Sequence, residues 1–161
     1  MRNFLLCLIY AATLGLVSFL LGRELPKSWL HPDQFPFRTY AWEETLWKAL
    51  QIRKWQAKVP DMSKVFPKLM PAKALTQKTA QDLPLMIQET CVAELVHDIL
   101  SILTFGCVWI WPGWGLWLSI AYVLIGHLPY IVIQRYNRPR LARMHALLKA
   151  REDRSHADKD A

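Results

Sequence analysis

Glycine and cysteine are scarce in this sequence, with six and three residues among 161. It contains no Gly-rich phosphate loop and no Gly-x-Ser-x-Gly elbow, so neither a P-loop nor a serine-hydrolase motif is present. The cysteines, Cys7, Cys91 and Cys107, have no paired spacing and fall in or beside apolar runs. They therefore predict neither disulfides nor a metal cluster.

Positive charge is missing from two long apolar windows, 92–111 and 114–133, although the chain has 20 Lys and Arg and a formal charge of +7. Together with the apolar run 4–21, these windows are near the length that crosses a bilayer core of about 30 Å. The sequence thus predicts an all-α membrane protein with about three transmembrane helices, plus amphipathic interfacial helices on the cytoplasmic side. Because the basic residues border the spans, nucleic-acid binding is disfavoured.

The basic residues concentrate in the middle loop and the C-terminal tail, which places both in the cytoplasm and the N-terminus outside. The WPGW turn predicted at 111–114, between the second and third spans, then faces outside. We expect one membrane domain, 1–161, integral to the bacterial cytoplasmic membrane. Its parts are a span at 4–21, a cytoplasmic interfacial segment at 22–84, a helix at 84–111 that contains the span 92–111, a span at 114–133, and a basic helix and tail at 134–161. The first run has the length of a cleaved signal peptide, but no small-x-small cleavage site follows, so we expect a retained anchor.

A single helix is predicted at 41–60, with Pro60 as its stop. Its apolar face consists of Trp42, Leu46, Ala49 and Leu50, flanked by Trp47 and Trp55, and its cationic side of Lys48, Arg53, Lys54 and Lys58. This pattern is typical of a helix in the membrane interface. A surface anchor and an active-site wall explain it equally well. The proline-broken stretch 61–84 predicts an irregular connector.

Ionisable residues occur inside the apolar window 92–111, where they are costly unless they face protein or water. They are Glu94, His97 and Asp98. Spacings of four, three and four residues place Thr90, Glu94, His97 and Ser101 on one helical face. A carboxylate beside an imidazole fixes which nitrogen carries the proton, as a general base acting on a hydroxyl requires. The pattern predicts a catalytic pair, and a structural contact between helices is the alternative.

A second polar cluster follows the apolar window 114–133, where the chain reads QRYNRPR from residue 134. Arginines after a span ordinarily anchor it on the cytoplasmic side, but anchoring does not explain Gln134, Tyr136 and Asn137. Their side chains can hydrogen-bond a carbonyl or a sugar, and arginine can bind a phosphate through two hydrogen bonds. Both polar clusters should lie at a similar depth, so we expect one interfacial site. Pro139 is expected to start the next helix.

His127 lies two turns before this cluster, and Pro129 should loosen the helix around it. The imidazole either lines the same cavity or caps a freed carbonyl, and the second role is favoured. A metal role is weaker for the Glu94-x-x-His97 pair, because a bundle-type site needs a second such pair and a zinc-protease helix needs a second His at i+4. We expect no metal and no cofactor.

With these motifs, the sequence resembles the glycosyl-4,4'-diaponeurosporenoate acyltransferases, small membrane enzymes of staphyloxanthin-type carotenoid synthesis. The likeness begins at about Phe37 and is carried by WE at 42–43, IRKW at 52–55, ETCVAELVH at 89–97 and QRYNRPRL at 134–141. It implies transfer of a fatty acyl group to a sugar hydroxyl on a membrane lipid, with Glu94 and His97 matching the family's Glu-x-x-His pair. The family often has Asn at the position of His127, and this departure leaves the acceptor's head group and apolar part open.

The expected mechanism has His97 take the proton of the acceptor hydroxyl while Glu94 orients the imidazole and the hydroxyl attacks an acyl thioester. Gln134, Asn137 or a backbone amide would stabilise the oxyanion. The donor, acyl-CoA or an acyl carrier protein, arrives from the cytoplasm. Its phosphates are expected on Arg135, Arg138, Arg140 and Lys54, and the other substrate-binding candidates are Trp42, Glu43, Trp55, Tyr136 and His127.

Three other functions remain open. The first is a transacylase that uses a phospholipid or lipoprotein ester as donor. The second is a non-enzymatic membrane scaffold or lipid-binding subunit, in which Glu94 and His97 hydrogen-bond between helices. The third is a weakly metal-dependent hydrolase, which chelation would inhibit.

Overall fold

A computed structural model describes residues 1–60 and 79–157. Within these ranges the chain forms helices and turns and no β-strand, so the all-α prediction is confirmed. The α-helices are α1 (Arg2–Glu24), α2 (Ala41–Ala49), α3 (Ile52–Trp55), α4 (Thr79–Leu103), α5 (Cys107–Ile110), α6 (Trp114–Tyr122) and α7 (Leu128–Ala157). Short 3-10 turns cover Lys27–Trp29, Gln56–Lys58 and Thr104–Gly106, and a π-helical turn covers Val123–His127.

Among the described residues, three stretches of helix are long and apolar enough to cross a membrane: Arg2–Glu24, Asp82–Ile110 and Trp114–Ala157. Many of their large apolar side chains point away from the protein, and Ile102 and Ile125 are 72% and 76% exposed. Such exposure suits lipid-facing surfaces, because the hydrocarbon core is as apolar as these side chains. The predicted number of spans is therefore confirmed.

The prediction of one helix at 41–60 is wrong, because the helix breaks between α2 and α3. Gln51 adopts a left-handed conformation with φ of 49°, and the Trp55 indole Nε1 donates to the Leu50 carbonyl at 2.9 Å. The turn buries Ile52 completely. Burial of this side chain and the satisfied carbonyl offset the helical hydrogen bonds that the break removes.

The prediction that Pro139 starts a new helix is also wrong, since α7 runs through it without interruption. A proline inside a helix removes one backbone hydrogen bond. The arginines one and four residues before it, Arg138 and Arg135, donate to carbonyls of the segment that precedes α2. These side-chain hydrogen bonds stabilise the helical turn in which the proline removes a backbone hydrogen bond.

The helix predicted at 84–111 differs from the structure at both ends. α4 begins at Thr79, five residues before Pro84, and ends at Leu103. A 3-10 turn and α5 then continue to Ile110. The turn predicted between the second and third spans is present, and Gly113 occupies it with φ of 85°, a conformation that favours glycine. Residues 61–78 of the predicted connector lie outside the described residues.

The chain forms two compact units, one of residues 1–30 and 91–134 and the other of 31–90 and 135–161. In the first unit, α1 packs closely on the second span. The Tyr10 hydroxyl donates to the Leu103 carbonyl at 2.8 Å, and a Cβ placed on Gly22 would lie 2.9 Å from Val96 Cγ2. The single membrane domain stays a prediction.

Candidate functional site

The first unit contains a pair of imidazoles among its apolar helices. His97 is half-buried on α4, and His127, only 4% exposed, closes the π-helical turn before α7. The two Nδ1 atoms lie 3.2 Å apart. At this distance one nitrogen must donate a proton to the other, because two lone pairs would repel each other.

Hydroxyl groups complete this cluster, which we call the histidine cluster (His97, Thr104, Ser119 and His127). Thr104 Oγ1 lies 3.4 Å from His127 Nε2 and donates to the Leu100 carbonyl at 2.7 Å. The Ser119 hydroxyl is within hydrogen-bond distance of the Thr104 and Gly115 carbonyls, at 2.9 and 2.8 Å. α6 thereby holds the backbone that carries Thr104.

Two aromatic rings hold the imidazoles in place. Tyr130 stacks flat on His97, with ring centroids 4.7 Å apart and planes 9° apart. Tyr122 meets His127 edge-on at 4.9 Å and 83°. Such contacts restrict rotation of both imidazoles.

The predicted loosening of the helix near Pro129 is confirmed as the π-helical turn Val123–His127. Proline at 129 lacks the N–H that would continue the α-helical ladder, and π turns often occur at functional positions. The two ring nitrogens of His127 lie beside side-chain atoms of His97 and Thr104, whereas the favoured interpretation had the ring cap a main-chain carbonyl.

Glu94 is buried one helical turn before His97, with 2% of its surface exposed. Gln134, at the end of the first unit, is 8% exposed. The contact between Glu94 and His97 stays a prediction, as does oxyanion stabilisation by Gln134 or Asn137. Burial of a carboxyl and an amide in an apolar helical region is costly, which favours a specific use for both.

In the second unit, Arg135 binds Glu43 through two hydrogen bonds. Its Nη2 lies 2.6 Å from Oε1 and its Nε lies 3.1 Å from Oε2. The same guanidinium donates to the carbonyls of Pro36 and Arg38 at 3.0 and 2.9 Å. Glu43 is 2% exposed and also accepts from the Tyr40 amide at the start of α2.

Arg138 is more deeply placed, with 2% of its surface exposed. It donates to the hydroxyl and the carbonyl of Thr90, at 2.9 and 3.2 Å, and to the Phe37 carbonyl at 2.6 Å. Its guanidinium carbon lies 5.4 Å from the centre of the Phe37 ring. Arg135 and Arg138 therefore bind protein acceptors, and each organises the loop before α2.

An open cavity of about 830 Å³ lies between α2, α3 and α7 of the second unit. We call it the basic groove. Of the described residues that line it, the cations are Lys48, Arg53, Lys54, Arg140 and Arg143, the carboxylate is Glu44, and the others are Trp47, Gln51, Ile52, Tyr136, Met144 and Leu147. Cationic and apolar side chains line the same groove, so an anionic ligand with an apolar part would find partners for both of its parts.

The aromatic candidates of α2 and α3 have different surroundings. Trp42 is 64% exposed beside the exposed Leu46 and Leu50, as expected for a face that meets lipid. Trp47 is buried against the edge of Tyr136, with centroids 5.7 Å apart. Trp55 is half-buried and caps Leu50.

Sequence reasoning missed Thr104, Ser119 and Tyr130. Each is an ordinary residue of an apolar helix, so composition alone does not single it out. The spacing of Thr104 from His97 and Ser101 is the only signal that could have linked it to the polar face of α4. Within the described ranges, no three His, Cys, Asp or Glu side chains form a group suited to a metal ion.

Fold and site define an all-helical membrane protein with an ordered polar cluster among its apolar helices. The family model for glycosyl-4,4'-diaponeurosporenoate acyltransferase matches residues 26–147. A glycosyl-4,4'-diaponeurosporenoate acyltransferase from Staphylococcus aureus (strain MRSA252) is 30% identical over 153 residues, which cover 92% of this chain and 91% of the relative. The protein of that name from strain USA300 is 29% identical with the same coverage. The chain belongs to the glycosyl-4,4'-diaponeurosporenoate acyltransferase family.

Family membership makes the protein an acyltransferase, and the resemblance found in the sequence is confirmed. No solved structure matches the chain.

Proposed function

We propose that this protein is an O-acyltransferase that moves a fatty acyl group from a thioester donor to a hydroxyl of a glycosylated membrane lipid. The observation that carries the proposal is the ordered imidazole of His97, held by stacking and by a second histidine inside an apolar helical unit. An imidazole fixed in this way suits a general base, because proton transfer requires a defined position and tautomer. The family name supplies the acyl transfer and a glycosylated carotenoid as the first acceptor to test.

In the proposed step, His97 takes the proton from the acceptor hydroxyl as its oxygen bonds to the thioester carbonyl carbon. The tetrahedral intermediate then collapses, the C–S bond breaks, and the thiolate leaves with the proton that His97 returns. The products are an ester and a free thiol. In this proposal the negative charge of Glu94 orients and stabilises His97 once the imidazole is protonated, and Gln134 or Asn137 donates to the oxyanion.

The donor's phosphates bind in the basic groove in this proposal. Five cations against one carboxylate give the described part of the lining a net formal charge of +4. Lys54 and Arg140 keep the phosphate-binding role expected from the sequence, and Lys48, Arg53 and Arg143 join them. Because Arg135 and Arg138 bind protein acceptors, we assign them the positioning of the loop before α2.

The proposed orientation follows from charge. We place the protein in the bacterial cytoplasmic membrane with its N-terminus outside and with the middle loop and C-terminal tail in the cytoplasm. A soluble thioester, acyl-CoA or acyl carrier protein, can reach the basic groove from that side.

Transfer of a radiolabelled acyl group from acyl-CoA to a glycosylated carotenoid, by purified protein in detergent, tests the proposal. We expect His97→Ala to reduce kcat by about 10² to 10⁴-fold, the usual contribution of a general base. His31→Ala, at an exposed loop position, is the matched control and should retain activity. Full activity of folded His97→Ala would refute the catalytic role, and transfer from labelled phospholipid with none from any thioester would favour a transacylase.

A further inference from the structure

The contacts of the Thr104 hydroxyl determine the acceptor to which its single proton points. Its Oγ1 lies 2.7 Å from the Leu100 carbonyl oxygen, which can only accept. The proton of Thr104 must therefore point at Leu100. At its other contact, 3.4 Å from His127 Nε2, Thr104 can only offer a lone pair.

This assignment determines the tautomer of His127. Because Thr104 accepts, His127 carries its proton on Nε2 when it is neutral, and Nδ1 has the lone pair. Nδ1 of His127 faces Nδ1 of His97 at 3.2 Å. The hydrogen bond between the rings then requires that His97 carry its proton on Nδ1 and donate it.

We propose that Thr104 and His127 are positioning residues that hold His97 in the Nδ1–H tautomer. Each proton in the chain points the same way, from His97 to His127, from His127 to Thr104, and from Thr104 to the Leu100 carbonyl. The lone pair of His97 is thereby assigned to Nε2. That nitrogen is the one that accepts the proton of the acceptor hydroxyl, so this inference rests on the proposed acyl transfer by His97.

Neighbouring side chains hold both ends of this chain of hydrogen bonds in place. Tyr130 stacks flat on His97 and prevents its ring from turning away from His127. Ser119 is completely buried beside the Thr104 carbonyl, at 2.9 Å, which fixes the backbone below the hydroxyl. The π-helical turn that ends at His127 directs that side chain toward α4 and the Thr104 turn after it.

The tautomers can be measured without an activity assay, by ¹⁵N NMR of histidine-labelled full-length protein in detergent micelles. His→Gln variants assign the signals, and the spectra are recorded in slightly alkaline buffer, above the ordinary pKa of an imidazole. We expect His97 protonated at Nδ1, His127 protonated at Nε2, and a through-hydrogen-bond coupling between the two Nδ1 atoms. His97 protonated at Nε2 in the resting protein would overturn the inference, whatever the activity of the protein.

A pair of Thr104 variants links the tautomer to catalysis. Thr104→Ser keeps a hydroxyl and should retain both the NMR pattern and kcat. Thr104→Val keeps the shape but cannot accept from His127, so we expect mixed tautomers and a fall in kcat of about 10- to 100-fold, part of a general base's full contribution, with KM unchanged. Equal loss in both variants, or full kcat in folded Thr104→Val, would contradict the positioning role. If His97→Ala stays active while the tautomers are as expected, the acyl-transfer proposal fails and the proton chain stands.

Discussion

Arg135 and Glu43 form a two-point ion pair across 92 positions of sequence, with the shorter contact, Nη2 to Oε1, at 2.6 Å. Glu43 is 2% exposed at its side chain and Arg135 is 20% exposed. α7 carries a second pair, Arg143 with Glu44 at 2.9 Å, but there the side chains are 68% and 51% exposed. The two pairs join the same helices, but the Arg135 pair is more buried and its guanidinium makes more hydrogen bonds, so the two arginines can be compared.

Removing the buried partner should be far more destabilising than removing the exposed one. Arg135→Met leaves a buried carboxylate without its cation, and we expect a loss of about 3–5 kcal/mol in the free energy of unfolding. Arg143→Met should cost about 0–1 kcal/mol, because water screens an exposed pair. Denaturant or thermal unfolding in detergent measures both. Equal losses in the two variants would show that burial of the Glu43 pair does not determine its contribution.

Because the donor's phosphates are proposed to bind in the basic groove, removal of its positive charges should weaken donor binding. A hydrogen bond to a charged group contributes about 1.5–3 kcal/mol, so Arg53→Gln with Lys54→Gln should raise KM for acyl-CoA by about 10- to 100-fold and leave kcat nearly unchanged. Lys149→Gln removes a charge from an exposed position of α7 that does not line the groove, and it is the control. Steady-state kinetics with acyl-CoA as the varied substrate distinguishes them. An unchanged KM in the double variant would show that the groove does not bind the donor.

Gly106 should tolerate no side chain, because Tyr10 occupies the space. A Cβ at this position would lie 2.7 Å from Tyr10 Cζ, and moving the ring would break the hydrogen bond from Tyr10 to the Leu103 carbonyl. We expect Gly106→Ala to destabilise by about 1–3 kcal/mol. Gly15 lies inside α1 with nothing within 4 Å of such a Cβ, so Gly15→Ala should be neutral or stabilise by up to about 1 kcal/mol. Melting temperatures of the two variants in detergent test this packing, and a stable Gly106→Ala would contradict it.

The turn between α2 and α3 should become more stable with glycine at position 51. Gln51 has φ of 49°, a left-handed conformation that costs a non-glycine residue about 1–2 kcal/mol. Glycine removes this strain but has more freedom in the unfolded chain, so Gln51→Gly should gain about 0.5–1 kcal/mol. Gln56→Gly, at φ of −53°, should instead lose about 0.5–1 kcal/mol. A loss of stability in Gln51→Gly would mean that its side chain contributes more than the backbone strain costs.

Residue type and spacing were enough to predict the three spans, the turn at Gly113 and the loosened helix near Pro129. These features depend on local properties: the length of apolar runs, the conformational freedom of glycine and the missing N–H of proline. Local reasoning failed at Gln51 and Pro139. At the first position, burial of Ile52 and the hydrogen bond from Trp55 to the Leu50 carbonyl outweigh the helical preference. At the second, tertiary hydrogen bonds from Arg135 and Arg138 do so.

The sequence by itself determined the class of protein, its membrane helices and the family, because apolar length and motif blocks are readable along one chain. Only the tertiary structure decided which side chains meet. It paired His97 with a histidine 30 residues away, and it engaged Arg135 and Arg138 with acceptors 48 to 101 residues away. A polar side chain in an apolar helix must find a partner, but the choice of that partner depends on helix packing, which no local pattern encodes.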